Sequence, residues 1–130
     1  MNIHLSGDGL LITTYPKGEL DFQDTINYFD RLSNDARIMQ GTIEVVYFNY
    51  VIDFKISHLE SKEITEIYQE PKAMKRIDTT IFVCTTDLEY GMGNMLKTLH
   101  KIANPNHNVE IVESESDLED ALLERSKSVI

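Results

Sequence analysis

The stretch 79–103, TTIFVCTTDLEYGMGNMLKTLHKIA, constrains this chain more than any other, because it reads in succession as a buried strand, a short turn and an amphipathic helix. In residues 79–86, Ile81, Phe82, Val83 and Cys84 stand between threonines. A β-rich run without polar alternation needs cover on both faces, as a central strand of a parallel sheet has. Thr86 followed by Glu89 matches a capping box, in which a hydroxyl and a carboxylate take up the first free amides of a helix. Beyond it Leu88, Met92, Met95, Leu96, Leu99, Ile102 and Ala103 form one apolar stripe that should face the sheet, with Leu99 at its centre and the methionines filling gaps in the core. Asn104-Pro105 ends the helix, since proline lacks an amide donor and disfavours helical geometry in the residue before it.

The rest of the chain supplies what this unit must pack against. Residues 2–5 and 10–15 are β-prone runs joined by SGDG, an N-terminal hairpin. PKGELD reads as a turn, and Asp21 as the cap of a helix that carries Phe22, Ile26, Phe29 and Leu32 and ends near Asn34. TIEVVYFNY, residues 42–50, is a second central strand. Ser57 and Glu60 repeat the capping box and open a helix with Ile64, Ile67 and Tyr68 inward, stopped or kinked by Pro71. Residues 109–112 form a short strand; Ser116 and Glu119 cap a last helix with Leu118, Ala121 and Leu122 inward, and 126–130 read as a loose tail. The expected fold is α/β: an N-terminal β-hairpin, then alternating helices and strands, giving a mostly parallel sheet of five strands with four helices in one domain over 1–130. Ligands on such sheets bind at the C-terminal strand ends, here the turns after Tyr50, Thr86 and Val112.

That edge holds the candidate site: Thr86, Asp87, Tyr90, Gly91, Gly93 and Asn94, with Tyr50 from the neighbouring strand. Each glycine inside a helix costs about 1 kcal/mol relative to alanine, so Gly91 and Gly93 imply close packing on a strand or backbone approach to a ligand. Tyr90 falls off the apolar stripe and is the expected exposed contact. Asp87 and Glu89 make the entrance acidic, which selects a protein partner with basic side chains, or a neutral or cationic small molecule, over phosphate. A homodimer stays open. A net charge of −10 repels nucleic acid and anionic membrane surfaces. With no apolar run of about 18 residues and no basic, apolar leader, the chain is expected to be cytoplasmic and outside the membrane.

The single cysteine, Cys84, cannot close an internal disulfide and is expected to be an inert, buried thiol. His4, His58, His100 and His107 lack metal-ligand spacing, Asn104-Pro105 separates the last two, and GxGxxG, GxSxG, CxxC and the phosphate-loop signature are absent. No cofactor, metal or catalytic residue is therefore expected. Two competing classes remain: an enzyme using Cys84, Asp87 or His58 at the same edge, and a lipid or fatty-acid carrier, which would need an enclosed apolar cavity.

This order of elements, together with GDGLLITTYPKGELDFQD, TTDLEYGMGNMLKTL and NVEIVESESDLEDALLE, resembles small bacterial proteins of the STAS-like, or SpoIIAA-like, fold class over most of the chain. The most specific piece is the strand followed by Thr86-Asp87-Leu88-Glu89-Tyr90-Gly91-Met92, similar to a DLxYGM helix start in uncharacterised members. The resemblance implies a STAS-like domain with a non-catalytic, regulatory or interaction role. In the anti-sigma-factor antagonists of this fold, a serine or threonine beside an aspartate is phosphorylated at a helix start. The corresponding YVIDFKISHLES lacks that pair, although Ser57 opens a helix.

Overall fold

Hairpin and alternation are both present, and a second small sheet joins them. The computed structural model describes residues 2–69 and 76–127. In chain order these form β1 (Asn2–Leu5), β2 (Leu11–Tyr15), β3 (Lys17–Asp21), α1 (Phe22–Ser33), β4 (Thr42–Tyr47), β5 (Tyr50–Lys55), α2 (His58–Gln69), β6 (Ile77–Val83), α3 (Asp87–Ala103), β7 (Asn108–Val112) and α4 (Glu115–Lys127).

The main sheet has five strands in the order β1-β2-β4-β6-β7, antiparallel between β1 and β2 and parallel elsewhere. Its parallel strands advance in one direction, and right-handed crossovers that advance one way place their helices on one face. Accordingly α1 touches α2 and α2 touches α3, while α4, which follows the last strand, packs Leu118 against Val45, Ile81, Val83 and Val112 on the other face. The helical side buries Ile12, Phe29, Leu32, Ile38, Ile64 and Ile77 at one end and Leu20, Val46, Phe48, Phe82, Met92 and Val109 at the other.

Several expectations are corrected. PKGELD is no turn: 17–21 is strand β3, paired parallel with β5 in a two-stranded sheet that carries Leu20 and Val51 into the core. The strand expected over 42–50 stops at Tyr47, where Phe48 turns inward and its carbonyl accepts the Val51 amide at 3.0 Å. Asn49 at this corner is a residue type that turns favour. On α3 the buried face is Glu89, Met92, Gly93 and His100, with Met95, Leu96 and Leu99 half-buried and Leu88 and Ile102 exposed. Leu99 is thus not the centre of the core; the polar residues are inward because each finds a partner there, as described below. Helix α4 is capped by Ser114, whose Oγ accepts the Asp117 amide at 3.1 Å, in place of Ser116, and the helix continues through Lys127. Pro71, residues 128–130 and the side chains of Tyr68 and Ala103 lie outside the described residues.

The two other caps form as expected. Asp21 and Asp24 make a reciprocal capping box on α1, and Ser57 and Glu60 exchange bonds of 2.9 and 3.1 Å on α2. Among the described residues, no helix is long and apolar enough to cross a membrane.

Candidate functional site

Thr86 is extended (φ −128°, ψ 164°) and its Oγ accepts the Glu89 amide at 3.2 Å, which starts α3 where the capping pattern places it. The Glu89 carboxylate does not reach back to the Thr86 amide. It accepts the Thr86 hydroxyl at 2.7 Å and the Thr85 amide at 3.3 Å and is buried, so it does not contribute to an acidic entrance. The acids that do are Asp87, the first residue of α3, and Glu113, on the loop beyond β7. With Cys84, Thr85, Thr86 and Tyr90 they line an open cleft of about 420 Å3. On that wall Tyr90 is 45% exposed, and Leu88, next to Asp87 in the chain, is 57% exposed.

Thr86, Asp87 and Tyr90 are therefore brought together, and the other expected site residues are not. A Cβ at Gly93 would stand 2.9 Å from the Cys84 Sγ, so this glycine lets the helix lie directly on the strand end. Gly91 faces open space, and Asn94 is exposed with its carbonyl accepting the Thr98 hydroxyl at 3.0 Å. Neither lines the cleft. Tyr50 begins β5 and lies 6.5 Å from the Tyr15 ring, which itself stacks on Tyr47 at 4.9 Å. The Cys84 thiol is 2% exposed, and burial, followed by the nearby Glu89 carboxylate, pushes its pKa up to about 12. A thiol so held is a poor nucleophile. His58 opens α2 and is not part of the cleft wall.

A second polar constellation lies beneath α1 and α3, and sequence reasoning did not find it. Glu44, in the middle of β4, is 1% exposed. Its Oε2 accepts a short hydrogen bond from the Tyr28 hydroxyl of α1, and its Oε1 accepts the Thr80 hydroxyl of β6 at 2.8 Å. Since Tyr28 spends its proton on Glu44, the Thr14 hydroxyl 2.9 Å away donates to the tyrosine oxygen. The Thr80 hydroxyl also lies 2.8 Å from His107 Nε2, which extends the hydrogen-bonded chain to the histidine ring. His107 stacks on His100 at 5.1 Å, so the proline stop separates the two in sequence but not in space.

Burial raises the Glu44 carboxyl above its usual range, against the two hydroxyl bonds that favour its charge. Burial and then His107 push His100 down to about 3, and burial lowers His107 as well. All three are thereby driven toward uncharged forms. Among the described residues, no group of three or more histidine, cysteine, aspartate or glutamate side chains could hold a metal ion.

Thr14, Thr25, Tyr28, Glu44 and His100 stand on the wall of a half-open cavity of about 50 Å3, lined otherwise by Pro16, Leu20, Phe29, Val46, Phe48, Phe82 and Leu96. A cavity that holds benzene measures about 150 Å3, so this one has no room for a fatty acyl chain. The signal in the sequence was Glu44 itself, the one charged residue inside TIEVVYFNY. An acid within a central strand must find buried partners, and those partners are distant in the chain.

No family model and no curated protein matches the chain. Two solved structures share its fold. An uncharacterised protein of the DUF3478 family from Shewanella loihica, described as SpoIIAA-like in fold, aligns with a TM-score of 0.59 at 12% identity over 93% of this chain and 90% of that one. The anti-sigma factor antagonist SpoIIAA in its unphosphorylated form aligns with a TM-score of 0.53 at 10% identity over 93% of this chain and 96% of that one. The chain thus has the STAS-like, SpoIIAA-like fold.

Proposed function

We propose that the chain is a regulatory module of the bacterial cytosol, without catalysis of its own, that receives a basic segment of a protein partner in the cleft beyond β6 and β7. The observation that carries this reading is the company of exposed apolar and acidic side chains at one helix start: Leu88 and Tyr90 beside Asp87 and Glu113. A leucine and a tyrosine that lose water on contact supply the anchor, and the carboxylates decide the sign of what approaches. The net charge of −10 adds long-range attraction for a basic partner and disfavours a second copy of the chain at this acidic edge. The similarly folded SpoIIAA is named an anti-sigma factor antagonist, which agrees with a fold used to engage other proteins.

Site-specific photocrosslinking in the host cell tests the reading. A crosslinking side chain placed at Leu88 or Tyr90 should capture a defined partner, and Asp87→Lys with Glu113→Lys should abolish the capture. Placed at Glu66, exposed on α2, the same group should capture nothing specific. Capture that survives the charge reversal, or that occurs only from Glu66, would move the interface elsewhere.

A further inference from the structure

We propose that the cavity beneath α1 and α3 is a binding site for a short-chain aliphatic alcohol, its hydroxyl on Glu44 and Tyr28 and its alkyl part among Phe29, Val46, Phe48 and Leu96. Size, wall chemistry and hydrogen-bonding capacity lead to this class, independently of the protein-docking cleft. A volume of about 50 Å3 accommodates about three to five non-hydrogen atoms, on the measure by which one water needs about 10–15 Å3. The walls are mostly hydrocarbon, so most of those atoms must be carbon.

The polar spot is selective. A carboxyl group offers about four acceptor positions, and Tyr28 and Thr80 occupy one on each oxygen of Glu44. Each oxygen keeps a further acceptor position, which a hydroxyl group held in the cavity can use. A hydroxyl can donate to this carboxyl and also accept from it, so it suits Glu44 whether or not the proton is present. An ether or a carbonyl can only accept. A carboxylate ligand would meet a buried acid, and an ammonium group would need Glu44 ionised within a hydrocarbon lining.

The test is titration of the whole chain with 1-propanol, followed by amide and methyl NMR. Saturable shifts at Val46, Phe48 and Leu96 are expected, with a dissociation constant on the order of a millimolar. Ethyl methyl ether, of equal size but without a donor, should bind at least about tenfold more weakly. Leu96→Phe, which fills the cavity from α3, should abolish the saturable shifts while the dispersed spectrum of a folded protein persists; if that variant does not fold, Val46→Ile carries the same expectation. Shifts that stay linear with concentration, equal affinity for the ether, or undiminished binding in a folded cavity-filled variant would each overturn the proposal. Tighter binding of propylammonium would overturn it in favour of a cation site.

Discussion

Asp87 and Glu44 are both acids near parallel strands, and their surroundings set them to opposite uses. Asp87 stands in water at the rim of an open cleft, where its charge is available to an approaching partner at long range. Glu44 is sealed under two helices, where each oxygen is met by one hydroxyl and the charge itself is disfavoured. The lesson is that the exposed region can change with little effect on folding, while the buried region ties six elements together and carries stability and any selectivity at once.

The widest separation of the two regions should come from truncating a side chain in each. Phe48 is fully buried, stacks on Phe82 at 5.3 Å and walls the cavity, so Phe48→Ala should cost about 3–5 kcal/mol in chemical denaturation. Tyr90→Ala, at the open cleft, should stay within about 0.5 kcal/mol. Comparable losses for both would erase the distinction.

Acidification separates them next. His100 stays neutral in the fold down to about 3, whereas in the unfolded chain it takes a proton below its ordinary value of 6.5. Between these limits the unfolded state holds more protons, so the stability is fully present above pH 6.5 and is lost as the pH falls toward 3. Each such proton contributes a slope of about 1.4 kcal/mol per pH unit, and His107 acts in the same direction. Glu44, raised by burial, works oppositely: it costs stability as the pH rises above its ordinary value of 4.5. Denaturation midpoints measured from pH 4 to 7 should therefore fall on the acid side, and His100→Gln should flatten that fall; an unchanged slope would mean that the buried rings are not its source.

The smallest effects should appear at the two glycines of α3, with opposite signs. Gly93→Ala forces a methyl against the Cys84 sulfur at 2.9 Å and should cost about 1–3 kcal/mol, most of it restored when Cys84→Ala is added. Gly91→Ala enters open space on a helix and should stabilise by about 0.4–1 kcal/mol. Thermal melts of the two variants shifting in the same direction would contradict these placements.

The cleft was legible because its residues are neighbours in the chain: Thr86, Asp87 and Tyr90 follow one strand and open one helix, and Thr86 caps it through a contact three residues away. Glu113, contributed by the next loop, was not. Gly93 was ambiguous for a related reason, since a glycine in a helix signals a close neighbour without naming it; the neighbour is Cys84 from the preceding strand end. Along α3 the apolar spacing pointed to Leu88 and Leu99, yet Glu89 and His100 hold the buried positions because Thr85, Thr86, Phe82 and His107 receive them.

By itself the sequence determined the hairpin, the alternation of helices and strands, and the caps at Asp21, Ser57 and Thr86, because each depends on periodicity or on bonds spanning about three residues. Only the tertiary structure decided that 17–21 is a strand, since β3 exists by pairing with β5 more than 30 positions later. It alone also brought Thr14, Tyr28, Glu44, Thr80 and His107 into one chain of hydrogen bonds. A buried polar group is satisfied by whatever the fold carries to within hydrogen-bonding distance, and that distance is set by strand register and helix crossing, which no local pattern encodes.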